Sequence, residues 1–228
     1  MPIREVRKKV EDSFLLIDTI TENFSKKVSK IINEYNNIII TSKIEKRIKD
    51  SILSTADNLL TATPLISGVG FVTYNEDISH SWKVAWLYRP DGLRIPNRIC
   101  LNKASQSLLD YPTFLWFNKV KAFAKGYLHG PYVDYICNAN YTLTYLYPVY
   151  LDQQLVGIAA TDIRVAQIEQ IIRETLASHR TALVISTLDG RILFSNHDQY
   201  RVGELGLYLP TAPQLSSRYF SFWDVSDH

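Results

Sequence analysis

The sequence predicts an α+β domain with a helical opening, a central antiparallel sheet and flanking helices. Three observations predict it. Apolar residues recur at helical spacing over about the first sixty positions, the period then changes to the two-residue alternation of strands, and a second amphipathic helical stretch follows near residue 165. A chain of 228 residues, 46% of them apolar, is long enough to bury the core of one large domain, or of a domain with an accessory element. Its 14 Tyr and 4 Trp supply aromatic surface for pockets as well as cores.

The elements follow in order. Ile3, Val10, Ile17, Phe24, Ile31 and Ile38 recur every seven residues, with Val6, Phe14, Ile20, Val28 and Tyr35 filling the half-turns between them. This spacing predicts a long amphipathic helix whose narrow seam fits either packing along a domain or pairing with a second copy. The β-branched run in "NNIIITSKIEK" interrupts it, and Ser42 with Glu45 has the spacing of a capping box, so a second helix starts there and ends before Pro64. "ISGVGFVTY" and "SWKVAWLYR" read as an antiparallel strand pair, and "YRPDGLRIPN" as turns.

"SQSLLDYPTFLWFNKVKAFAKG" reads as a broken, partly helical excursion across the sheet, since Pro112 prevents a continuous helix. Three strands, "YVDYICN", "TLTYLYPVYL" and "LVGIAATDI", precede the helix "RVAQIEQIIRETLAS". "TALVIST" and "RILFSN" form a hairpin around Asp189-Gly190, a dipeptide favoured in two-residue loops, and the last twenty-five residues, with "RYFSFW", match no element. This gives a helical segment at 1–62, a ligand-binding module at 63–180, and a hairpin with an irregular tail at 181–228.

Composition excludes several classes. A formal charge of +2 leaves no electrostatic footprint for nucleic acid or an anionic membrane, and Lys8-Lys9 and Lys26-Lys27 read as a solvated helix face. No run approaches the length of a membrane span, and no signal peptide is visible, so a cytoplasmic location is expected, with an excised extracytoplasmic sensor as the alternative. Cys100 and Cys137 lack metal-ligand spacing and read as buried reduced thiols. No G-x-S-x-G, Walker A, H-E-x-x-H or C-x-x-C motif appears, and the five histidines are scattered, so neither an enzyme nor a cofactor is expected. "GVG" at Gly68–Gly70 lies in a strand, where close backbone packing explains it better than dinucleotide binding.

Lone acids among aromatic and aliphatic neighbours are the unusual feature. Tyr132 and Asp134, two apart in a strand, share a face, and Trp116 and Phe117 lie on the excursion above the sheet. If these meet, aromatic walls and carboxylates attract an amine through cation–π contact and charge-assisted hydrogen bonds. Each residue also has a plainer reading: Asp162 suits a helix N-cap, Asp134 a solvent-facing position, and Trp116-Phe117 core packing.

The run from Trp116 to Ile163, with "PYVD", "TLTYLYPVY" and "VGIAATDI", resembles the Cache sensor domains, PAS-like modules found on bacterial chemoreceptors and histidine kinases. The resemblance extends by pattern over residues 1 to 200. It implies a PAS-like fold in which Tyr132, Asp134 and Asp162 hold a ligand ammonium beside Trp116 and Phe117. Where amino-acid sensors of this family carry an arginine and a tyrosine for the ligand carboxylate, this chain has Phe114 and Leu109. Tyr111, or one of Arg89, Arg94 and Arg98, replaces that clamp, or the ligand is an amine without a carboxylate. The resemblance further implies a non-enzymatic sensor for a small amine or amino acid, reporting to a signalling partner or across a homodimer through the long helix. The rival is a scaffold protein that uses that helix and has a vestigial pocket.

Overall fold

Proline at the first turn, where no amide donor is needed, opens helix α1, Pro2–Asn33, in the computed structural model. The structure describes residues 2–35, 41–74, 82–90, 97–98, 113–123, 125–135, 137, 139–210 and 212–226. The buried face of α1 runs through Ile3, Val6, Val10, Phe14, Ile17, Phe24, Val28 and Ile32. The seven-residue repeat placed Ile31 on this face; burial falls on Ile32, because a helix of 3.6 residues per turn slips against a strict 3.5-residue repeat. Lys8, Lys9, Lys26 and Lys27 lie on the exposed side, where Lys9 pairs with Glu5 at 3.5 Å and Lys26 with Glu22 at 2.7 Å. The apolar seam, Ile17 and Phe24 included, is thus consumed by packing within the chain.

Helix α2, Ser42–Ala62, begins one residue earlier than the capping-box reading implies. Thr41 is the N-cap, its Oγ1 accepting from the Ile44 amide at 3.4 Å, and the helix stops at Thr63, just before Pro64. Arg89 donates to the carbonyl of Leu60, in the last turn of the helix, and to that of Pro64 just beyond it.

The chain gathers into two compact units, residues 17–163 and residues 1–16 with 164–228.

Within the 17–163 unit the described strands form a six-stranded sheet: β1 (Gly68–Thr73), β2 (Val84–Tyr88), β3 (Asn97–Arg98), β4 (Tyr127–Asp134), β5 (Asn140–Leu151) and β6 (Gln154–Arg164, its last residue outside the unit). Its order is β3-β2-β1-β6-β5-β4. β1 pairs antiparallel with β2, as expected from "ISGVGFVTY" and "SWKVAWLYR", and on its other side with β6. One face packs on α1 and α2, where Thr21 Oγ1 and Thr161 Oγ1 lie 2.6 Å apart and Ser29 donates to the Tyr150 carbonyl at 2.7 Å. The other face meets helix α3, Leu115–Phe123.

The β5–β6 turn places Asp152 and Gln153 at φ 46° and 67°, the left-handed pair of a type I′ turn that favours glycine at its second position. Gln153→Gly relieves that conformation and is expected to raise the thermal midpoint by about 2 °C. A calorimetric scan showing no rise would mean that the Gln153 side chain offsets the backbone cost.

In the other unit a four-stranded sheet of order β8-β7-β10-β9 is built from β7 (Leu183–Thr187), β8 (Ile192–Ser195), β9 (Leu215–Ser216) and β10 (Phe220–Asp224), with α4, Val165–Leu176. The β7–β8 loop is longer than a two-residue Asp-Gly turn: Gly190 donates to the Thr187 carbonyl at 3.0 Å, Thr187 pairs back to Arg191, and Gly190 sits at φ 88°. "RYFSFW", unassigned from the sequence, supplies β10 beside β7, with Phe220 and Phe222 fully buried. Phe14 of α1 meets Phe220 edge-on at 4.8 Å between ring centres.

Candidate functional site

The sheet face toward α3 carries a cavity of about 350 Å³. Period-2 alternation brings Val84 and Trp86 of β2, Val72 of β1, Leu146 of β5, and Ile158 and Ala160 of β6 to it. Gly68 and Gly70 occupy the same row of β1. A Cβ at Gly70 would lie 2.2 Å from the Ala85 carbonyl oxygen and 2.7 Å from the Trp86 ring. At Gly68 it would meet Asp162 Oδ2 at 2.9 Å and Trp86 at 3.1 Å. The "GVG" run is therefore the seat of the Trp86 indole.

The polar end comes from β4, β5 and β6. Asp162 continues the Ile158–Ala160 row and is 4% exposed; Asp134 ends β4 and is 7% exposed. Thr144 donates to Asp162 Oδ1 at 2.6 Å. With its proton committed there, Thr144 accepts from Tyr132, whose hydroxyl lies 2.7 Å away, and the phenol oxygen keeps acceptor capacity for a third group. Asp134 Oδ1 accepts from the Cys137 amide at 3.2 Å.

Burial pushes the Asp162 carboxyl up to about 7; the Thr144 hydrogen bond opposes this and the charge of Asp134 adds to it. Burial and then the Asp162 charge raise the Tyr132 phenol, and burial with Asp134 raises the Cys137 thiol. His129, also in the lining, is lowered by burial and by Lys119, which favours the neutral imidazole. Two buried carboxylates thus converge on an apolar chamber whose described lining contains no lysine or arginine.

Four of the sequence-derived residues, Trp116, Tyr132, Asp134 and Asp162, line this cavity. Phe117 does not. Consecutive helical residues point about 100° apart, so Trp116 and Phe117 diverge, and Phe117, 2% exposed, packs among Val84, Trp86, Val120 and Leu146. Tyr111 and Arg94 lie outside the described residues, and Arg98 is described only in its backbone. Arg89, spent on the end of α2, is absent from the described lining. Asp162 is not the cap of the following helix: Arg164 holds that position, its amide donating to Gln167 Oε1 at 3.4 Å. Nor does Asp134 face solvent.

Phe114, Trp86, His129, Cys137 and Thr144 complete the polar end and its aromatic walls. Strict alternation hides His129. The β4–β5 register shifts between His129 and Tyr132, so His129, which pairs with Thr144, joins Tyr132 and Asp134 on one face despite the odd spacing.

A long N-terminal helix and an antiparallel sheet bearing a one-sided cavity define the PAS-like Cache sensor fold expected from the sequence, and solved structures share it. The sensory domain of the Campylobacter jejuni chemoreceptor Tlp3 with isoleucine bound matches at a TM-score of 0.61 and 15% identity, over 87% of this chain and 69% of that one. The ligand-binding domain of the Pseudomonas aeruginosa PAO1 amino acid chemoreceptor PctC in complex with GABA matches at 0.61 and 13% identity, over 97% and 94%. The extracellular domain of a histidine kinase, soHK1S-Z6, matches at 0.52 and 15% identity, over 86% and 74%. No family model and no curated protein matches the sequence.

Proposed function

We propose that this chain is a non-enzymatic sensor domain for a small amine-bearing metabolite, bound in the 17–163 unit. The carrying observation is the pair of buried carboxylates, Asp134 and Asp162, at one apolar, aromatic-walled cavity. A primary ammonium has three donors, and Asp134, Asp162 and the Tyr132 oxygen offer three acceptors; its charge offsets the burial, and with it the nearby charge of Asp134, that raise the Asp162 carboxyl. Trp116, Phe114 and Trp86 give the rest of the ligand an apolar, ring-lined environment. Isoleucine and GABA, held by domains of this fold, carry such an ammonium. The described lining favours a ligand whose body is apolar over one that needs a basic clamp for a carboxylate.

Binding is reported to a signalling partner, or to a second copy of the chain, by shifting the helix packing that the ligand prefers. No described helix is long and apolar enough to cross a membrane, and an extracytoplasmic setting fits the neighbours better than a cytoplasmic one.

A thermal-shift screen against alkyl and aryl monoamines, polyamines, quaternary amines and amino acids tests this. At a hundredfold excess over Kd, binding adds about 2.7 kcal/mol, a rise of roughly 5–10 °C. Asp134→Ala should remove it. Silence from every compound would overturn the amine reading; a preference for amino acids would place a carboxylate clamp outside the described lining.

A further inference from the structure

We infer that the acid end of the cavity also binds a thiophilic divalent cation such as Zn²⁺, through Asp134, Cys137 and Asp162, in competition with the amine. Only the competition rests on the amine reading; the cation site stands on its own donors. One ligand atom from each of the three residues lies within 4.8 Å of the other two. Zinc bonds of about 2.3 Å to sulfur and 2.0–2.2 Å to oxygen put tetrahedral donors roughly 3.5 Å apart, so closing the set takes side-chain rotation and no backbone movement.

The spacing is built in. The Cys137 amide on Asp134 Oδ1, at 3.2 Å, and the Ala139 amide on the Asp134 carbonyl, at 2.7 Å, hold the turn that carries the thiol against the end of β4. Two carboxylates alone would suit magnesium or calcium; a thiolate added to them selects zinc, cadmium or cobalt.

An independent observation points to the same occupant. Trp86, 8% exposed, lines the cavity with Cys137 packed against its cluster, and its indole Nε1 is buried with no hydrogen-bond partner. A neutral thiol accepts weakly, whereas a metal-bound thiolate is the acceptor this N–H lacks, the outer partner that tunes a ligating sulfur. On binding, the thiol proton leaves to solvent as the sulfur–metal bond forms. Three protein donors leave a fourth position for water, the arrangement of an exchangeable site.

The test uses the full chain freed of metal with a chelator, and Co²⁺ and Zn²⁺ as probes. The wild type should show a cobalt–thiolate charge-transfer band, and Zn²⁺ should suppress the amine-induced thermal shift. Cys137→Ser should lose the band and weaken Zn²⁺ by about tenfold or more in calorimetry, and Zn²⁺ should diminish whatever amine shift the variant shows without metal less than it does in the wild type. A wild type without the band overturns the proposal with no variant needed. Equal Zn²⁺ affinity in wild type and Cys137→Ser does so as well. A band without any amine response upholds the cation site and sinks the amine reading alone; an amine response without a band does the reverse.

Discussion

Asp162→Asn should make the ligand-free protein more stable at neutral pH while lowering its amine affinity by about a hundredfold or more. The two effects share one cause. The Asp162 carboxyl titrates at about 7 in the fold against 3.8 in the unfolded chain, because burial penalises its charge. Between those values the folded state holds a proton that the unfolded chain has lost, so stability falls as pH rises from about 4 to about 7 and is flat above that. An amide keeps the acceptor for Thr144 and removes the buried charge, a gain of about 1–3 kcal/mol at pH 8. The bound ammonium, however, selects the ionised carboxylate. Wild-type amine affinity should therefore rise about tenfold per pH unit below 7, and the variant should show neither that slope nor the tight binding. Denaturant melts and calorimetry at pH 5, 6, 7 and 8, with chelator present, decide the matter; a variant less stable than wild type at pH 8 would refute the uncompensated charge.

The second large effect is structural. Gly70→Ala should cost about 3 kcal/mol or more and lower the thermal midpoint by roughly 10 °C, because its Cβ would lie 2.2 Å from a backbone oxygen, that of Ala85, and 2.8 Å from the Trp86 Cα. Strand atoms fixed by the β1–β2 ladder cannot step aside. Gly68→Ala is the control: its contacts are side-chain atoms, Asp162 Oδ2 and the Trp86 ring, which rotate at lower cost. It should melt closer to wild type yet bind amines more weakly, since Asp162 is the group displaced. If Gly70→Ala melts within about 2 °C of wild type, the indole does not lie on β1 as drawn.

Where one physical rule governed a segment, it could be read in advance. Helical spacing located α1, α2 and α4, and alternation put Tyr132 and Asp134 on one face; Asp162 entered the expected site only through the family resemblance. The misreadings each have a local cause. Phe117 was grouped with Trp116 by adjacency, although neighbours on a helix diverge. The five histidines read as scattered, and the bulge that breaks the parity of β4 is what hides His129; Cys137 sits in a turn, where alternation carries no information. Strand β10 escaped because it is short, flanked by serines, and takes its order from β7, a partner over thirty residues away that local patterning cannot reveal.

The division of α1 between two units bears on how the chain is made. Residues 17–163 have their partners within one continuous stretch, so this part can condense as soon as it leaves the ribosome. Val6, Val10 and Phe14 cannot: they belong with residues 164–228, and the ring partners of Phe14, Tyr219 and Phe220, are made only after the whole 17–163 stretch. Until then the first half of the helix presents an apolar stripe to the cell, and that interval is when aggregation or chaperone capture would strike.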